Sequence, residues 1–166
     1  YQVQHDHLTQ LPNRSYFYQV LCSLFDDAHQ RQNLALLFID NNNFKAINDQ
    51  YGHETGDDFL REFARRLNSC LRKGDFVARQ GGDEFVMLCQ LATPSTESEL
   101  VLTQRVRMLC SGEFLLPNAL LQYVGPSIGV VTWQSGDSTD VDWLLSQADA
   151  AMYRDKQQRR AKAALE

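Results

Sequence analysis

The run Leu34-Ala35-Leu36-Leu37-Phe38-Ile39 is unbroken apolar sequence that stops at Asp40. A strand of that kind is buried on both faces, so helices must cover its sheet on both sides. The residues that follow, Asn41-Asn42-Asn43-Phe44-Lys45-Ala46-Ile47-Asn48-Asp49, open a helix. A carboxylate at the end of a buried strand, just ahead of a helix start, stands where α/β proteins assemble ligand chemistry. Backbone amides at such a helix start can cradle phosphates. Helix capping alone accounts for Asn42 and Asn43 and leaves Asp40 without a purpose.

The second constraint is Arg79-Gln80-Gly81-Gly82-Asp83-Glu84-Phe85, which lies between the strand-like runs Phe76-Val77-Ala78-Arg79 and Phe85-Val86-Met87-Leu88. The pair Gly81-Gly82 reads as a tight hairpin turn, because glycine reaches positive φ at no steric cost. Asp83 and Glu84 then set two carboxylates at the turn, and Gly82, without a Cβ, lets a ligand approach the backbone. Taken alone, the segment is equally compatible with a solvated hairpin tip.

Around these two features the chain reads as alternating helices and strands. Asn13 caps a helix with Tyr16, Phe17, Val20, Leu21, Leu24 and Phe25 on one face. Residues 51–57 read as a glycine-punctuated loop. The helix after it turns Phe59, Leu60, Phe63, Ala64, Leu67 and Leu71 inward, with Arg61, Glu62, Arg65 and Arg66 as a solvated face. Residues 94–110 form a further helix, 112–118 a loop, and 124–133 a strand with a close-packed point at Gly129. A last helix carries Val141, Leu144, Leu145, Ala148, Ala151 and Met152 in one stripe and ends in Lys156, Arg159 and Arg160, cations that also suit a helix C-terminus.

At 166 residues and 43% hydrophobic content, the chain is long enough for one domain with a full core. Its formal charge of -5 argues against a nonspecific nucleic-acid surface, so an anionic ligand must be held by local basic residues or by metal. Cys22, Cys70, Cys89 and Cys110 form no CxxC pair and read as reduced core residues of a cytosolic protein. No apolar run approaches the roughly 20 residues a membrane helix needs.

The glycine turn, read with Asp6-His7-Leu8-Thr9-Gln10-Leu11-Pro12-Asn13-Arg14, Asp40, the set Asn48, Asp49, Gly52, His53, Gly56 and Asp57, and the tail at Lys156 and Arg160, resembles the GGDEF family of diguanylate cyclases. The resemblance runs from Asp6 to Arg160. It implies an α/β (α+β) fold with a ferredoxin-like βαββαβ core of the nucleotidyl-cyclase and polymerase-palm type, its sheet mixed, mainly antiparallel and covered by helices. It also implies condensation of two GTP into cyclic di-GMP with release of two pyrophosphates, each 3′-hydroxyl attacking the partner's α-phosphate. Two Mg2+ or Mn2+ ions per GTP site would be held by Asp40, Asp83 and the backbone carbonyl of Asn41, with Asp83 as proton acceptor and Glu84 assisting. Asn48 and Asp57 would read guanine, whose N1 and N2 both donate to a carboxylate. His53 is either a nucleotide contact or an exposed loop residue. Lys45, Lys156 and Arg160 would meet phosphates, with Gly82 giving room. Arg72 and Asp75 match an RxxD signature for product inhibition, with Arg79 as a further contributor.

Several positions depart from the pattern. Gln10 replaces a glycine, Asn42 a second aspartate, Gln80 an apolar or aromatic residue, and Asp155 and Arg159 an alanine and a glycine. The resemblance implies turnover by a two-fold pair of domains. The rival reading is a weak or inactive module that binds GTP or cyclic di-GMP and regulates a neighbouring sensory or phosphodiesterase domain. The chain begins at Tyr1 without methionine. Leu165-Glu166 reads as a cloning scar, so residues 1–164 are expected to be one domain excised from a longer protein, cytoplasmic itself, with the full protein open to membrane anchoring.

Overall fold

Asp40 closes a strand, β1 (Leu34–Asp40), that is paired along both edges and buried at almost every position. The computed structural model describes residues 4–26, 33–134 and 140–165. Ahead of β1 lies α1 (Arg14–Asp26), and after it come α2 (Phe44–Tyr51) and α3 (His53–Ser69). The hairpin β2 (Phe76–Gly81) and β3 (Glu84–Gln90) is followed by α4 (Thr96–Leu109). A second hairpin, β4 (Gly112–Leu116) and β5 (Ala119–Tyr123), precedes β6 (Ser127–Trp133) and α5 (Val141–Leu165). The main sheet runs β2-β3-β1-β6 with every neighbouring pair antiparallel, which is the βαββαβ order of a ferredoxin-like core. Among the described residues, no helix is long and apolar enough to cross a membrane.

Strand periodicity divides the core in two. Ala35, Leu37 and Ile39 of β1 pack with Phe59, Phe63 and Leu67 of α3 and with Leu102 and Val106 of α4. Leu34, Leu36 and Phe38 face the other way, onto Phe17 and Leu21 of α1 and Leu144 and Ala148 of α5. Continuing that alternation puts Asp40 on the α1/α5 side. Glu84 follows Val86 and Leu88 to the same side, directly opposite Asp40 in the β1–β3 register.

Four sequence expectations are corrected. Residues 112–118 are not a loop: Phe114 and Leu116 of β4, with Leu121 and Tyr123 of β5, bury a hairpin face against α3. The span 51–57 is not a loop either. Gly52, at φ 90, alone separates α2 from α3, so Asp57 already lies within a helix. The strand expected over 124–133 starts only at Ser127. Arg66 does not belong to a solvated face. Its guanidinium lies 3.7 Å from the centre of the Phe114 ring and donates to the carbonyls of Leu109, Ser111 and Glu113, fastening the end of α4 and the start of β4 to α3.

The four cysteines are free, Cys89 and Cys110 buried and the other two partly so. Helix α5 runs on to Leu165, so Lys156, Arg159 and Arg160 precede its last turn rather than occupying it. Glu166 lies outside the described residues.

Helix α5 rests directly on β6 at Gly129. A Cβ there would overlap the Met152 amide nitrogen and the Ala148 carbonyl, both helix backbone that cannot rotate aside. Gly129→Ala is therefore expected to push α5 off the sheet and to destabilise the protein by about 1–3 kcal/mol, the usual range for overpacking, as read from urea unfolding.

Candidate active site

Asp40 is buried, 5% exposed as a residue. One carboxylate oxygen accepts from Lys156 Nζ at 3.1 Å, while the other, Oδ1, is buried and has no hydrogen-bond partner among the described residues. Orphaned buried carboxylate oxygens are rare, and this one marks a place for a cation or donor. Asp83 stands beside it, in the two-residue turn Gly82-Asp83 that joins Gly81 to its register partner Glu84. The turn is thus displaced by one residue from Gly81-Gly82. The pairing shifts between Arg79 and Gly81, and Gly81 (φ 144) and Gly82 (φ 51) both adopt conformations that favour glycine. Nothing lies near a Cβ built on Gly82, so the turn backbone is open to a ligand.

Burial, then the neighbouring charge of Asp40, raises the Asp83 carboxyl above the usual carboxylate range. Glu84 is raised as well, by lost hydration first and then by Asp40, Asp83 and Asp149. Among the described residues, no three His, Cys, Asp or Glu side chains close into a metal cage. Asp40 Oδ1 and the neighbouring Asp83 carboxylate instead offer oxygen donors alone. That suits a hard cation which shares its coordination with substrate phosphates.

The turn is held from three directions. Arg79 donates to the Gly82 carbonyl from Nε at 3.1 Å and Nη2 at 2.7 Å, and from Nη1 to both oxygens of Asp6 at 3.0 and 3.1 Å. Burial raises the Asp6 carboxyl, but hydrogen bonds from Thr9 and the Arg79 guanidinium outweigh it and hold the group below its ordinary value. The Asn41 backbone N–H and side-chain Nδ2 both donate to the Asp83 carbonyl, at 3.1 and 3.2 Å. Behind Asn41, the Tyr123 hydroxyl donates to Oδ1 at 3.4 Å. Arg79 is therefore engaged in bracing the turn and does not line the cavity beside Arg72. Gln10, where a glycine is usual, sits at φ 63 and so carries a left-handed conformation that glycine would adopt without strain.

Asn42 and Asn43 do not act as side-chain caps. Asn43 occupies the N-cap of α2 at φ 62 with no side-chain capping bond. Asn42 donates to the Gly125 carbonyl at 3.1 Å and accepts from Ser127 Oγ at 2.8 Å, tying the end of β1 to the β5–β6 connection.

The α2–α3 junction gathers the expected base-reading residues. The Asn48 amide lies across Gly56, where any Cβ would overlap its oxygen, and Asp57 follows on the exposed side of α3. His53 and Lys45 are exposed at the starts of α3 and α2. Arg160 is exposed one turn beyond Lys156. Asp155, where alanine is usual, accepts from Ile128 N–H and Arg107 Nη2, both at 2.8 Å, and pairs with Arg159 at 3.5 Å. The side-chain amide oxygen of Gln80 is buried without a partner among the described residues.

Arg72 and Asp75 stand at the opposite end of the β2–β3 hairpin. Asp75 accepts from the backbone N–H of Arg72 at 2.9 Å and of Gln90 at 3.1 Å. They border an open cavity of about 400 Å³ that also meets Arg105 of α4, whose Nε and Nη2 are buried without partners among the described residues. The sequence reading missed Arg105. The available signal was an arginine beside Val106 on the inward stripe of α4, three residues after Leu102. Because the Asn42 amide uses both its donor and its acceptor, Asn42→Asp is expected not to strengthen the acidic edge. It would face the Gly125 carbonyl with a second acceptor and lower stability by about 1–3 kcal/mol, with unchanged Mn2+ affinity by calorimetry.

Residues 3–162 match the family model for the diguanylate cyclase GGDEF domain. The chain is similar to diguanylate cyclase DgcP of Escherichia coli K12, 39% identical over 152 residues, covering 91% of this chain and 44% of that protein. The chain therefore spans less than half the length of that curated relative. It superposes on a sensory box/GGDEF family protein from Caulobacter crescentus with a TM-score of 0.82 at 32% identity, covering 93% of this chain and 99% of the other. The GGDEF domain of DgcB from Caulobacter crescentus, solved in complex with c-di-GMP, matches with a TM-score of 0.81 at 27% identity over 94% of this chain and 89% of that one. The acidic turn, the buried strand end beside it and the sheet order that joins them are those of a known family: this chain belongs to the diguanylate cyclase GGDEF domain family.

Proposed function

We propose that this domain condenses two GTP molecules into cyclic di-GMP, one GTP on each of two domains facing across a two-fold axis. The observation that carries the reading is the convergence of Asp40, Asp83 and Glu84 on one sheet edge, with a buried carboxylate oxygen left unfilled. Mg2+ or Mn2+ bound there supplies charge neutralisation for the triphosphate and makes the 3′-hydroxyl more acidic. Asp83 takes the proton of that hydroxyl as its oxygen bonds to the α-phosphorus of the partner's GTP. The bond from that phosphorus to the bridging oxygen breaks, and pyrophosphate leaves. Glu84 assists as the adjoining carboxylate on the same sheet edge. Lys156 exchanges its contact with Asp40 for phosphate oxygens, helped by Arg160 and Lys45. Asn48 and Asp57 select guanine, with His53 at the rim, and the open backbone at Gly82 admits the phosphates.

Product regulates at the far end of the hairpin. Arg72, Asp75 and the Arg105 guanidinium, whose Nε and Nη2 have no partner among the described residues, offer donors and an acceptor suited to guanine edges. The c-di-GMP complex of the DgcB domain supports product binding by this fold. Because that cavity is remote from Asp83, a domain could bind product without turning over GTP. Such a module would regulate a neighbouring domain, and it is the second reading.

Asp83→Asn separates the two. Loss of the proton acceptor is expected to lower cyclic di-GMP formation by at least about 100-fold, measured by chromatography with GTP and Mg2+ at domain concentrations high enough to pair. Wild-type protein that binds cyclic di-GMP and makes none favours the module. The same variant reports on the cation. The folded state holds the Asp83 proton more tightly than the unfolded chain, so stability falls as pH rises from the ordinary carboxylate range through the raised value. Above that window the asparagine variant, which has no charge to repel Asp40, is expected to have the higher Tm without metal. Mn2+ should raise the Tm of the wild type and have little effect on the variant. Arg72→Ala is expected to leave the initial rate unchanged while abolishing the slowing of progress curves by accumulated product.

A further inference from the structure

We propose that Tyr123 is a positioning residue for the acidic edge: acting through the Asn41 side-chain amide, its hydroxyl holds the Asp83 carbonyl, and with it the catalytic turn, at a fixed distance from Asp40. The inference rests on the reading of Asp40 and Asp83 as a cation-binding edge.

The Asp83 carbonyl accepts two hydrogen bonds, and both come from Asn41. The backbone N–H is fixed by the strand, but the side-chain amide could turn either end toward that carbonyl, since its oxygen and nitrogen are close in size. Only one orientation is attractive. With Nδ2 toward Asp83 a donor meets a carbonyl, and with Oδ1 there two acceptors face each other. The Asp83 carbonyl selects the former orientation, and the Tyr123 hydroxyl, on the far side of the amide and donating to Oδ1 at 3.4 Å, holds the amide there. Asn41 is 1% exposed and Tyr123 6%, so water is poorly placed to take over that role.

The ring that carries the hydroxyl is placed independently of it. Tyr123 packs edge-on against Phe59, with centroids 4.8 Å apart, and against Phe114 at 5.6 Å. Removing the hydroxyl alone should therefore leave the ring in its position. Tyr123 belongs to the β4–β5 hairpin, which contributes no other group to the acidic edge. The bond thus carries positional information from that hairpin to the turn. Groups that orient a cation's ligands from behind commonly alter metal affinity by about 10- to 100-fold when removed.

The test compares wild type, Tyr123→Phe and Phe114→Leu by hydrogen exchange, Mn2+ calorimetry and steady-state kinetics. Tyr123→Phe is expected to speed amide exchange at Asn41 and across Gly82–Glu84 without a general loss of protection. It should weaken Mn2+ binding by about tenfold and lower kcat at fixed metal while leaving the KM for GTP within about twofold, because the base is read at the α2–α3 junction. Phe114→Leu loosens the same aromatic cluster with the hydroxyl in place. It is expected to lower Tm without the local change in exchange or the change in Mn2+ affinity. Unchanged exchange at the turn in Tyr123→Phe overturns the proposal, as does an equal change in Phe114→Leu, which would make the effect one of packing. Wild-type protein that binds no Mn2+, with Tyr123→Phe still loosening the turn, leaves the positioning role standing and removes the cation-binding reading instead.

Discussion

Mutual repulsion among carboxylates is the constraint on which this structure turns. Asp40 and Glu84 are direct register partners on antiparallel strands, and strand periodicity sends both side chains to the face covered by α1 and α5. Like charges so opposed weaken a sheet, and Asp83 adds a third at the turn. The strands cannot slip to relieve the strain, because a shift of one residue would exchange the two faces of β1 and unpack both halves of the core. The relief that remains is partial: Lys156 covers one oxygen of Asp40, and the Asp83 and Glu84 carboxyls hold their protons more tightly. A multivalent cation would offset the repulsion and give the Asp40 Oδ1 atom a partner.

That arrangement requires braces, and they are drawn from distant parts of the chain. Asp6 orients Arg79, which grips the turn at Gly82. Asn41 grips the same turn one residue later, and Asn42 locks the strand end to Gly125 and Ser127. Beneath Lys156, the absence of a side chain at Gly129 lets α5 approach the sheet closely enough for its lysine to reach Asp40. Charged groups in the site thus rest on element ends whose backbone positions are each fixed by at least one polar contact. A site of this kind keeps its geometry even though its members repel one another.

Much of this was legible in the sequence, for identifiable reasons. The run 34–39 has no polar interruption, so its burial and its place in the middle of the sheet followed directly. The glycine pair announced a turn, although the bulge that displaces it to Gly82-Asp83 depends on β2–β3 pairing and left no local mark. Hairpin β4–β5 escaped because its strands are short and its outward residues include Leu115 and Leu120, which hide the alternation with buried Phe114, Leu116 and Leu121. The arginines were the least readable. Arg66, Arg79 and Arg105 have the same local setting as solvated arginines, and only tertiary neighbours distinguish a helix fastener, a turn brace and a cavity cation. Asn42 misled for a related reason, since a residue type that suits a cap was engaged by a strand far along the chain.

Helix α5 brings the last of these constraints together. Placing an acid at position 155, next to the lysine that meets Asp40, would by itself set a negative charge where a triphosphate is expected to dock. Here Asp155 is turned toward β6 and satisfied by Ile128 N–H, with Arg107 and Arg159 beside it. The two guanidinium groups outnumber the single carboxylate. Burial and Arg107 make the charged form of Arg159 harder to keep, and Asp155 offsets part of that cost. The group of Asp155, Arg107 and Arg159 therefore carries a net positive charge and adds no uncompensated acid beside Lys156. Asp155 is compatible with a phosphate-binding edge because Arg107 is there to meet it. The departure in the tail and the arginine on α4 are one electrostatic unit, so a change at either must be judged by what it leaves uncompensated at the other.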